Sequence, residues 1–272
     1  MQINGSTEIY GIIGNPVAHS LSPAMHNSAF GALGLNKVYV PFPAFDVEKA
    51  LDACRTLNVR GLSVTIPHKE TILAHINSID PVAEKIGAVN TLVFDEENKI
   101  HGLNTDWIGA NRALADKLDL KGKKILLLGA GGSAKAIGYG LLEAGAEIIL
   151  ASRTESRLKT LGEKLDCDWV PLAEVGSMHA DALVNATSVG MKFLGDVSLV
   201  PSACLANFPV VMDIVYAPLE TKLIKDAKIA GCEAINGLSM LLYQGVAQFE
   251  AWIGQDAPVE VMRSALIQII AE

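Results

Sequence analysis

Long apolar runs, paired cysteines and an excess of basic residues are all missing from this 272-residue sequence. Half of the residues are hydrophobic, yet no uninterrupted apolar run reaches the roughly 18 residues of a membrane span, so we expect none. The four cysteines are scattered without a C-x-x-C pair, which favours free thiols and a cytoplasmic location. The net charge of −8 argues against a nucleic-acid partner or an anionic membrane surface, because both require a basic face.

Motifs of several enzyme classes are missing as well. The six histidines form no H-x-x-x-H or H-E-x-x-H pair, so we expect no metal site. The G-x-S-x-G motif of serine hydrolases does not occur. The first five residues have neither a basic nor an apolar segment, so we expect no export signal. A small-molecule partner remains, and a few Lys, Ser and backbone groups could hold an anionic one.

Strand-like and helix-like segments alternate along the chain, a pattern typical of an α/β fold with a mostly parallel sheet. The first third has strand signals over residues 8–13, 37–43 and 61–66 and helix signals over residues 24–33 and 47–57. A second alternating series begins at Lys124 and is complete at about Ile235. We therefore predict two domains: an α/β substrate domain of residues 1–106 and 238–272, and a Rossmann-type dinucleotide-binding domain of residues 107–237.

The segment 124–134 has the features of a dinucleotide-binding turn. Four large aliphatic residues follow Lys124, as expected of a strand buried on both faces. The next residues fit G-x-G-x-x-G/A; they are Gly129, Ala130, Gly131, Gly132, Ser133 and Ala134. The first glycine of such a motif makes the turn, the second lets backbone N–H groups approach a pyrophosphate, and the following helix adds partial positive charge. The alternative is a glycine-rich turn that binds no ligand.

The residues after the second strand of this domain indicate which dinucleotide binds. An acidic residue there hydrogen-bonds the 2′-hydroxyl of NAD, whereas an arginine accommodates the 2′-phosphate of NADP. Here the strand ends in Ser152, Arg153 and Thr154, and Arg157 adds a further charge. We predict NADP; the alternative is that Arg153 is an exposed loop residue without a ligand.

Two charged residues at the ends of predicted elements are candidates for proton transfer. Lys69 follows a buried strand, and desolvation makes a lysine a usable acid or base near neutral pH. A solvated surface lysine is the alternative. Asp106 begins a predicted helix, where catalysis and simple N-capping both remain open. His68 and His101 have no carboxylate partner at a fixed spacing, which favours a structural role for both.

Other polar residues near predicted loops carry weaker signals. Ser20 and Ser22 flank the start of a predicted helix with Ser22 as its expected N-cap, and their hydroxyls could bind a carboxylate or only cap the helix. Asn90 precedes a strand and could bind a hydroxylated ligand or close a turn. Tyr216 and Gln244 are uninformative by themselves.

An ordered series of short motifs, which runs nearly end to end, resembles the shikimate dehydrogenase family. The motifs lie at residues 14–16 (GNP) with 20–23 (SLSP), 64–69 (VTIPHK), 87–91 (GAVNT), 104–106 (NTD), 129–132 (GAGG), 152–154 (SRT), 185–191 (NATSVGM) and 237–241 (GLSML) with Gln244. Each motif is modest, but the ordered set is specific. The resemblance implies an NADP-dependent, reversible reduction of 3-dehydroshikimate to shikimate.

The resemblance also implies roles for individual residues. Lys69 and Asp106 would form the catalytic pair. The substrate carboxylate would meet Ser20 and Ser22 with Tyr216 nearby, and the substrate hydroxyls would meet Thr65, Asn90, Asp106 and Gln244. The cofactor would contact the glycine turn, the loop of residues 152–157, and also Thr187, Ser188, Met191, Ile214 and Gly237. We expect no metal and a monomer or homodimer.

Two positions depart from the family pattern. Ser63 stands where many members have Asn, and Ser152 stands where Asn usually precedes the arginine. The first departure leaves open a quinate/shikimate dehydrogenase with broader substrate or NAD use. A non-catalytic NADP-binding regulator is the alternative from another class, but it would have no need of both Lys69 and Asp106.

Overall fold

The computed structural model describes residues 3–271, and the chain divides into two compact units. The first unit contains the residues up to Thr105 and those from Gln244 onward. The second unit is continuous from Asp106 to Tyr243. Both units are built from strands and helices in alternation, which confirms the predicted two-domain α/β fold class.

The sheet of the first unit is mixed. Its strands are β1 (Glu8–Gly14), β2 (Lys37–Pro43), β3 (Val59–Val64), β4 (Ser78–Ile79), β5 (Thr91–Phe94) and β6 (Ile100–Leu103). They lie in the order β2–β1–β3–β5–β6–β4. β1 is parallel to β2 and β3 and β4 is parallel to β6, whereas β5 is antiparallel to both β3 and β6. The hairpin of β5 and β6 therefore brings antiparallel strands into an otherwise parallel sheet.

The sheet of the second unit is parallel at every pair. Its strands are β7 (Lys124–Leu128), β8 (Glu147–Ser152), β9 (Asp168–Pro171), β10 (Ala182–Asn185), β11 (Val210–Asp213) and β12 (Glu233–Ile235). They lie in the order β12–β11–β10–β7–β8–β9. β7 is central, and its apolar residues alternate between two cores: Ile125 and Leu127 pack into one, and Leu126 and Leu128 into the other. Burial on both faces explains why the strand is apolar without interruption.

The helices begin and end close to the predicted limits. They are α1 (Ser22–Ala32), α2 (Val47–Thr56), α3 (Pro81–Ile86), α4 (Asp106–Ala115), α5 (Gly132–Glu143), α6 (Glu155–Leu165), α7 (Lys222–Ile229), α8 (Gly237–Ile253) and α9 (Val259–Ala271). Those within residues 3–271 are all too short or too polar to cross a bilayer.

The start of α1 and the presence of α3 differ from the sequence-based expectation. Ser22 is the first residue of α1 rather than its N-cap, and Leu21 holds the cap position in a helix-like conformation, with φ −86° and ψ −8°. The short helix α3 was missed, although its signal is strong. The carboxylate of Asp80 accepts hydrogen bonds from the N–H groups of Val82 and Ala83, at 2.9 and 3.2 Å, and Pro81 opens the helix.

Candidate functional site

Several strand ends of the first unit meet at one edge of its sheet. β1 and β3 end side by side, because Ile13 pairs with Val64. β5 begins at the same edge, where Thr91 pairs with Ser63, and β6 ends there, where Leu103 pairs with Thr91. The segments attached to these strand ends carry the predicted residues Ser20, Ser22, Thr65, Lys69 and Asn90. The topology therefore gathers polar residues from three separate stretches of sequence.

Lys69 is anchored at this edge through its backbone. The N–H of Val89 donates to the carbonyl of Lys69 at 2.8 Å, and the N–H of Val64 donates to the carbonyl of Asn90 at 2.7 Å. These two bonds tie the segment after β3 to the segment before β5. The half-buried Lys69 is thus fixed next to the residue that precedes Asn90.

Asn90 is buried, and its amide has a defined orientation. Its Oδ1 accepts from the N–H of Thr105 at 2.8 Å and from the hydroxyl of Thr91 at 2.7 Å. Because a backbone N–H can only donate, the oxygen must face Thr105. The nitrogen Nδ2 donates to Thr105 Oγ1 at 3.0 Å and to Gln244 Oε1 at 3.4 Å. Two predicted substrate residues, Asn90 and Gln244, therefore meet across 154 positions of sequence.

The serine and threonine candidates are placed by the loops around them. The N–H of Ser22 donates a hydrogen bond to the hydroxyl oxygen of Ser20 at 3.3 Å. Thr65 is fixed by its N–H, which donates to the carbonyl of Ile13 at 3.0 Å. Its methyl group packs so closely on Gly14 that a Cβ there would lie 2.3 Å away, so a glycine is required at residue 14.

The two histidines considered as general bases have structural partners. His68 is buried, and its Nε2 lies 2.7 Å from the carbonyl of Ala44, to which it donates. His101 contacts the carboxylate of Asp95 at 2.9 Å, so the expectation that it lacks a carboxylate partner was wrong. Asp95 follows β5 at the hairpin turn, at the opposite end of the strand from Asn90. His68 lies directly before Lys69, but its ring is held by the carbonyl of Ala44, whereas His101 lies at the other end of the hairpin.

The second unit has a corresponding edge, formed by the carboxyl ends of its parallel strands. Leu128 of β7 pairs with Ala151 of β8 and with Asn185 of β10, and Asn185 pairs with Asp213 of β11. Predicted cofactor residues follow these positions within one or two residues along the chain; they include Gly129, Ser152, Thr187 and Ile214. In parallel α/β sheets this edge is where ligands bind.

The first two glycines of the turn after β7 differ in whether the protein's own structure requires them. Gly129 has φ +120°, and a Cβ there would lie 3.1 Å from the carbonyl oxygen of Ala186. The backbone conformation and the close neighbour therefore require a glycine at residue 129. Gly131 has φ −94°, which any residue adopts, and an added Cβ would meet no heavy atom of the described chain within 4 Å. The backbone at residue 131 is therefore open on this side, with room for a ligand to lie against it.

The start of α5 completes this cradle. Gly131 holds the N-cap position, and no described side chain caps the helix. Ala130, Gly132 and Ser133 are half-buried around the turn, and Ala134 is buried against the core. The N–H groups of a helix's first turn, together with the positive end of its dipole, suit a pyrophosphate.

Basic residues lie at the end of the neighbouring strand. β8 ends at Ser152, whose hydroxyl accepts from the N–H of Thr154 at 3.4 Å. Arg153 and Arg157 are both exposed, one before α6 and one in its first turn. Two exposed guanidinium groups at this strand end are suited to binding a phosphate.

Sequence reasoning missed a buried carboxylate behind the loop that follows β10. Asp213 is fully buried and accepts hydrogen bonds from the hydroxyl of Thr221 at 2.6 Å, from Asn185 Nδ2 at 2.9 Å and from the N–H of Val215 at 3.0 Å. Burial raises the pKa of Asp213 to about 6, although these hydrogen bonds oppose the shift. A single polar residue at the end of each of two apolar strands was the available signal.

Asn185, which is hydrogen-bonded to Asp213, also makes hydrogen bonds to the predicted cofactor loop. Its Oδ1 accepts from the N–H of Thr187 at 3.1 Å and from its hydroxyl at 2.7 Å, and its Nδ2 donates to the carbonyl of Val189 at 3.1 Å. The N–H of Met191 donates to the carbonyl of Ser188 at 3.1 Å. The loop of residues 187–191 is thus held as a fixed turn.

The remaining predicted residues of the second unit lie on three of its elements. Gly237, the first residue of α8, packs so tightly that a Cβ would lie 2.2 Å from the carbonyl oxygen of Ile214. Tyr216 is half-buried in the loop after β11. Asp106 is buried at the first position of α4, where a carboxylate complements the positive end of the helix.

Family models match the chain along most of its length. Residues 12–92 match the shikimate dehydrogenase substrate binding domain, residues 111–214 match shikimate / quinate 5-dehydrogenase, and residues 237–267 match the shikimate 5′-dehydrogenase C-terminal domain. The three matches follow the same order as the structural elements described above.

Individual relatives agree with these matches. A protein of Pyrococcus furiosus named shikimate dehydrogenase (NADP(+)) is 44% identical, with 99% of each chain covered. One of the same name from Haloarcula marismortui is also 44% identical, with 95% of this chain and 98% of the relative covered. The structure of shikimate 5-dehydrogenase from Thermus thermophilus in complex with NADP(H) and shikimate has a TM-score of 0.87 at 37% identity, covering 96% of this chain and 99% of that one. That of shikimate dehydrogenase from Aquifex aeolicus has a TM-score of 0.90 at 38% identity, covering 97% and 99%.

Proposed function

Since this chain belongs to the shikimate dehydrogenase family, we propose that it catalyses the NADP-dependent, reversible reduction of 3-dehydroshikimate to shikimate, a step of chorismate and aromatic amino-acid biosynthesis. The reaction is an oxidation or reduction at a CH–OH group. Its substrate is a small, polyhydroxylated carboxylate, which local Lys, Ser and backbone groups can bind although the chain carries a net charge of −8.

The observation that carries this proposal is the backbone link between Lys69 and the buried amide cluster around Asn90. The bond from Val89 N–H to the Lys69 carbonyl holds the backbone of Lys69 next to the segment that ends in the oriented Asn90 amide, which supports a role for both residues at one site. A ring ketone flanked by hydroxyl groups needs both: hydrogen-bonding groups that fix the ring, and an acid near the developing alkoxide.

The second unit has residues that fit NADP. The turn of residues 129–134 would hold the pyrophosphate, because Gly131 leaves its backbone open and the start of α5 is not capped by a described side chain. Arg153 and Arg157 would hold the 2′-phosphate, with Ser152 and Thr154 beside them. When bound, the nicotinamide supplies or accepts the hydride. Thr187, Ser188, Met191, Ile214 and Gly237 would complete the cofactor contacts.

The protein's own residues supply binding and the proton. Lys69 Nζ donates a proton to the alkoxide oxygen as the ketone is reduced, and takes it back in the reverse direction. Asp106 is the second catalytic residue of the proposal. The substrate hydroxyls are assigned to Thr65, Asn90, Asp106 and Gln244, and its carboxylate to Ser20, Ser22 and Tyr216. The buried positions of Asn90 and Asp106 support these assignments, because buried polar groups that face a ligand are held in one geometry.

Cellular location and assembly belong to the same proposal. Each of the four cysteines is a free thiol, which suits a reducing cytoplasm. We place the enzyme there as a monomer or homodimer.

The proposal is tested by following nicotinamide absorbance with the purified protein in four mixtures. Shikimate and quinate are each combined with NADP⁺ and with NAD⁺. We expect turnover to be fastest with shikimate and NADP⁺. Lack of turnover in all four mixtures would overturn the enzyme assignment, and faster turnover of quinate or with NAD⁺ would overturn the stated substrate or cofactor.

A further inference from the structure

One face of α8 makes hydrogen bonds to three consecutive residues at the start of β5, namely Asn90, Thr91 and Leu92. Gln244, Gln248 and Trp252 are four positions apart and so share a face of the helix. Gln244 accepts from Asn90 Nδ2, Gln248 Nε2 donates to the carbonyl of Asn90 and to the hydroxyl oxygen of Thr91, both at 3.1 Å, and Trp252 Nε1 donates to the carbonyl of Leu92 at 2.9 Å. The role of Gln248 was not foreseen from the sequence.

The orientation of the Gln248 amide is set from its other side. The hydroxyl of Tyr39 donates to Ser63 Oγ at 2.6 Å, and Ser63 donates to Gln248 Oε1 at 2.8 Å. Because the carbonyl of Asn90 can only accept, Gln248 must present its nitrogen to β5 and its oxygen to Ser63. Tyr39, Ser63 and Gln248 are all buried, so these bonds are not exchanged for bonds to solvent.

Gln248 also supports the orientation of the Asn90 amide that the N–H of Thr105 sets. Since Thr91 Oγ1 accepts from Gln248 Nε2, its own proton points to Asn90 Oδ1 at 2.7 Å. That bond and the one from the Thr105 N–H hold the Asn90 oxygen inward, and its Nδ2 is left facing Gln244. A directional series of bonds therefore runs from Tyr39 to the amide of Asn90.

We propose that Gln248, oriented by Ser63, is a positioning residue that fixes the Asn90 amide for binding of the substrate hydroxyls. The inference rests on the proposed function, since it assigns Asn90 to the substrate. Gln248 acts through Thr91 and the Asn90 backbone, and it therefore affects the substrate and not the dinucleotide. Ser63, which departs from the family pattern, is compatible with the site because Gln248 completes its hydrogen bonding.

The test compares Gln248→Met, which keeps the size of the side chain but removes its amide, with the wild-type enzyme in the oxidation of shikimate. We expect the KM for shikimate to rise roughly tenfold, while the KM for NADP⁺ stays within about twofold and kcat within about threefold. Ser63→Ala, a smaller change in the same series, should raise the KM for shikimate by roughly threefold. The double variant should show less than the product of the two effects, because both act through one series of bonds.

Trp252→Phe is the matched control. It removes the donor to Leu92 from the same face of α8 and keeps the aromatic packing, but its bond does not reach Asn90. It should lower the melting temperature and leave the KM for shikimate within about twofold of the wild-type value. An unchanged KM in both Gln248→Met and Ser63→Ala, or an equal rise in Trp252→Phe, overturns the positioning role. If the wild-type protein fails to oxidise shikimate, the proposed function falls and this inference falls with it. If Gln248→Met does not fold, the response of Ser63→Ala decides the matter.

Discussion

The hydroxyl of Thr221 donates a hydrogen bond of 2.6 Å to Oδ2 of Asp213, a carboxyl group that is fully buried at the end of β11. Burial raises the pKa of this carboxyl from 3.8 to about 6. Because the folded-state pKa lies above the unfolded value, the stabilising contribution of the protonated group is complete below about pH 4. It is lost as the pH rises through about 6, since the folded state must then hold a buried charge.

Asp213→Asn should remove this dependence. The variant keeps the shape of the side chain, does not titrate, and can donate to Thr221 once that hydroxyl turns to accept. We expect the free energy of unfolding of the wild type to fall relative to that of the variant by up to ~3 kcal/mol between about pH 4 and about pH 8. Urea denaturation at intervals across this range measures the difference. Parallel profiles for the two proteins would contradict the raised pKa.

His26 predicts the opposite dependence on pH. Its ring is fully buried and stacks on Tyr39 with centroids 4.6 Å apart, and neither ring nitrogen has a hydrogen-bond partner within residues 3–271. Burial lowers the pKa of His26 to about 3; the polar side chain of Gln248 lies near the ring without meeting hydrogen-bond geometry, and it offsets only part of this shift. The folded state therefore keeps the ring neutral, while the unfolded state takes up a proton below about pH 6.5. Stability is lost as the pH falls from that value towards 3.

His26→Phe keeps the aromatic stacking and cannot be protonated. Below about pH 6 the wild-type protein should lose about 1.4 kcal/mol per pH unit relative to this variant. Urea denaturation between about pH 7 and about pH 4.5 tests this. The prediction fails if the wild type and the variant lose stability at the same rate on acidification.

Lys69→Ala should abolish most of the turnover. Loss of a positioned general acid lowers kcat by roughly a hundredfold or more, with a smaller change in the KM for shikimate. Lys99→Ala is a suitable control, because Lys99 is an exposed lysine beside the hairpin turn, in an ion pair with Glu97. Initial rates at saturating NADP⁺ give both constants. Near-normal kcat in Lys69→Ala would remove Lys69 from the mechanism.

Arg153→Ala should separate the two dinucleotides. Loss of a charge-assisted bond to the 2′-phosphate is expected to raise the KM for NADP⁺ by roughly 10- to 100-fold and that for NAD⁺ by less than about twofold. The matched variant Arg157→Ala should have a weaker effect of the same kind. Equal losses with NADP⁺ and NAD⁺ would mean that Arg153 does not bind the phosphate.

Gly131→Ala should reduce cofactor binding without affecting the fold. The added methyl meets open space in the protein but would stand between the backbone and a pyrophosphate. We expect the KM for NADP⁺ to rise at least about tenfold, with the free energy of unfolding changed by less than about 1 kcal/mol. In Gly237→Ala, by comparison, the methyl would clash with the Ile214 carbonyl, and stability should fall by about 1–3 kcal/mol. Unaltered NADP⁺ affinity in Gly131→Ala would contradict a pyrophosphate at this turn.

The structural elements that could be predicted were those determined by residues close together in the sequence. The sequence alone predicted strand β7, the glycine turn and helix α5. This was possible because hydrophobic periodicity and the special conformation of Gly129 are local properties. The family assignment, the α/β class and the dependence of relatives on NADP are confirmed by the comparisons. The assignments of individual site residues remain predictions.

The buried polar groups were not predictable in the same way. Asp213 and Asn185 meet only because β10 and β11 pair, and Gln248 meets Ser63 only because α8 packs on the first sheet. Which polar side chain is buried, and which partner it finds, depends on tertiary pairing that no local pattern encodes. The prediction of Ser22 as the N-cap of α1 was wrong for a local reason. Leu21 already has a helix-like backbone, so the helix starts one residue earlier than Pro23 suggests.

The bond between Ser63 and Gln248 spans 185 positions of sequence, and this has a consequence for how the chain folds. The second unit is continuous, so it can complete its contacts as soon as Tyr243 has been synthesised. The first unit begins to form earlier but must wait for α8, and closing so long a loop is slow. Until then Ser63, Thr91 and Asn90 have to be solvated by water in a half-built sheet. Asn90 and Gln244, which the proposal assigns to the substrate, consequently reach their native arrangement late, and loss of the C-terminal segment would disturb Asn90 before it affected the dinucleotide-binding turn.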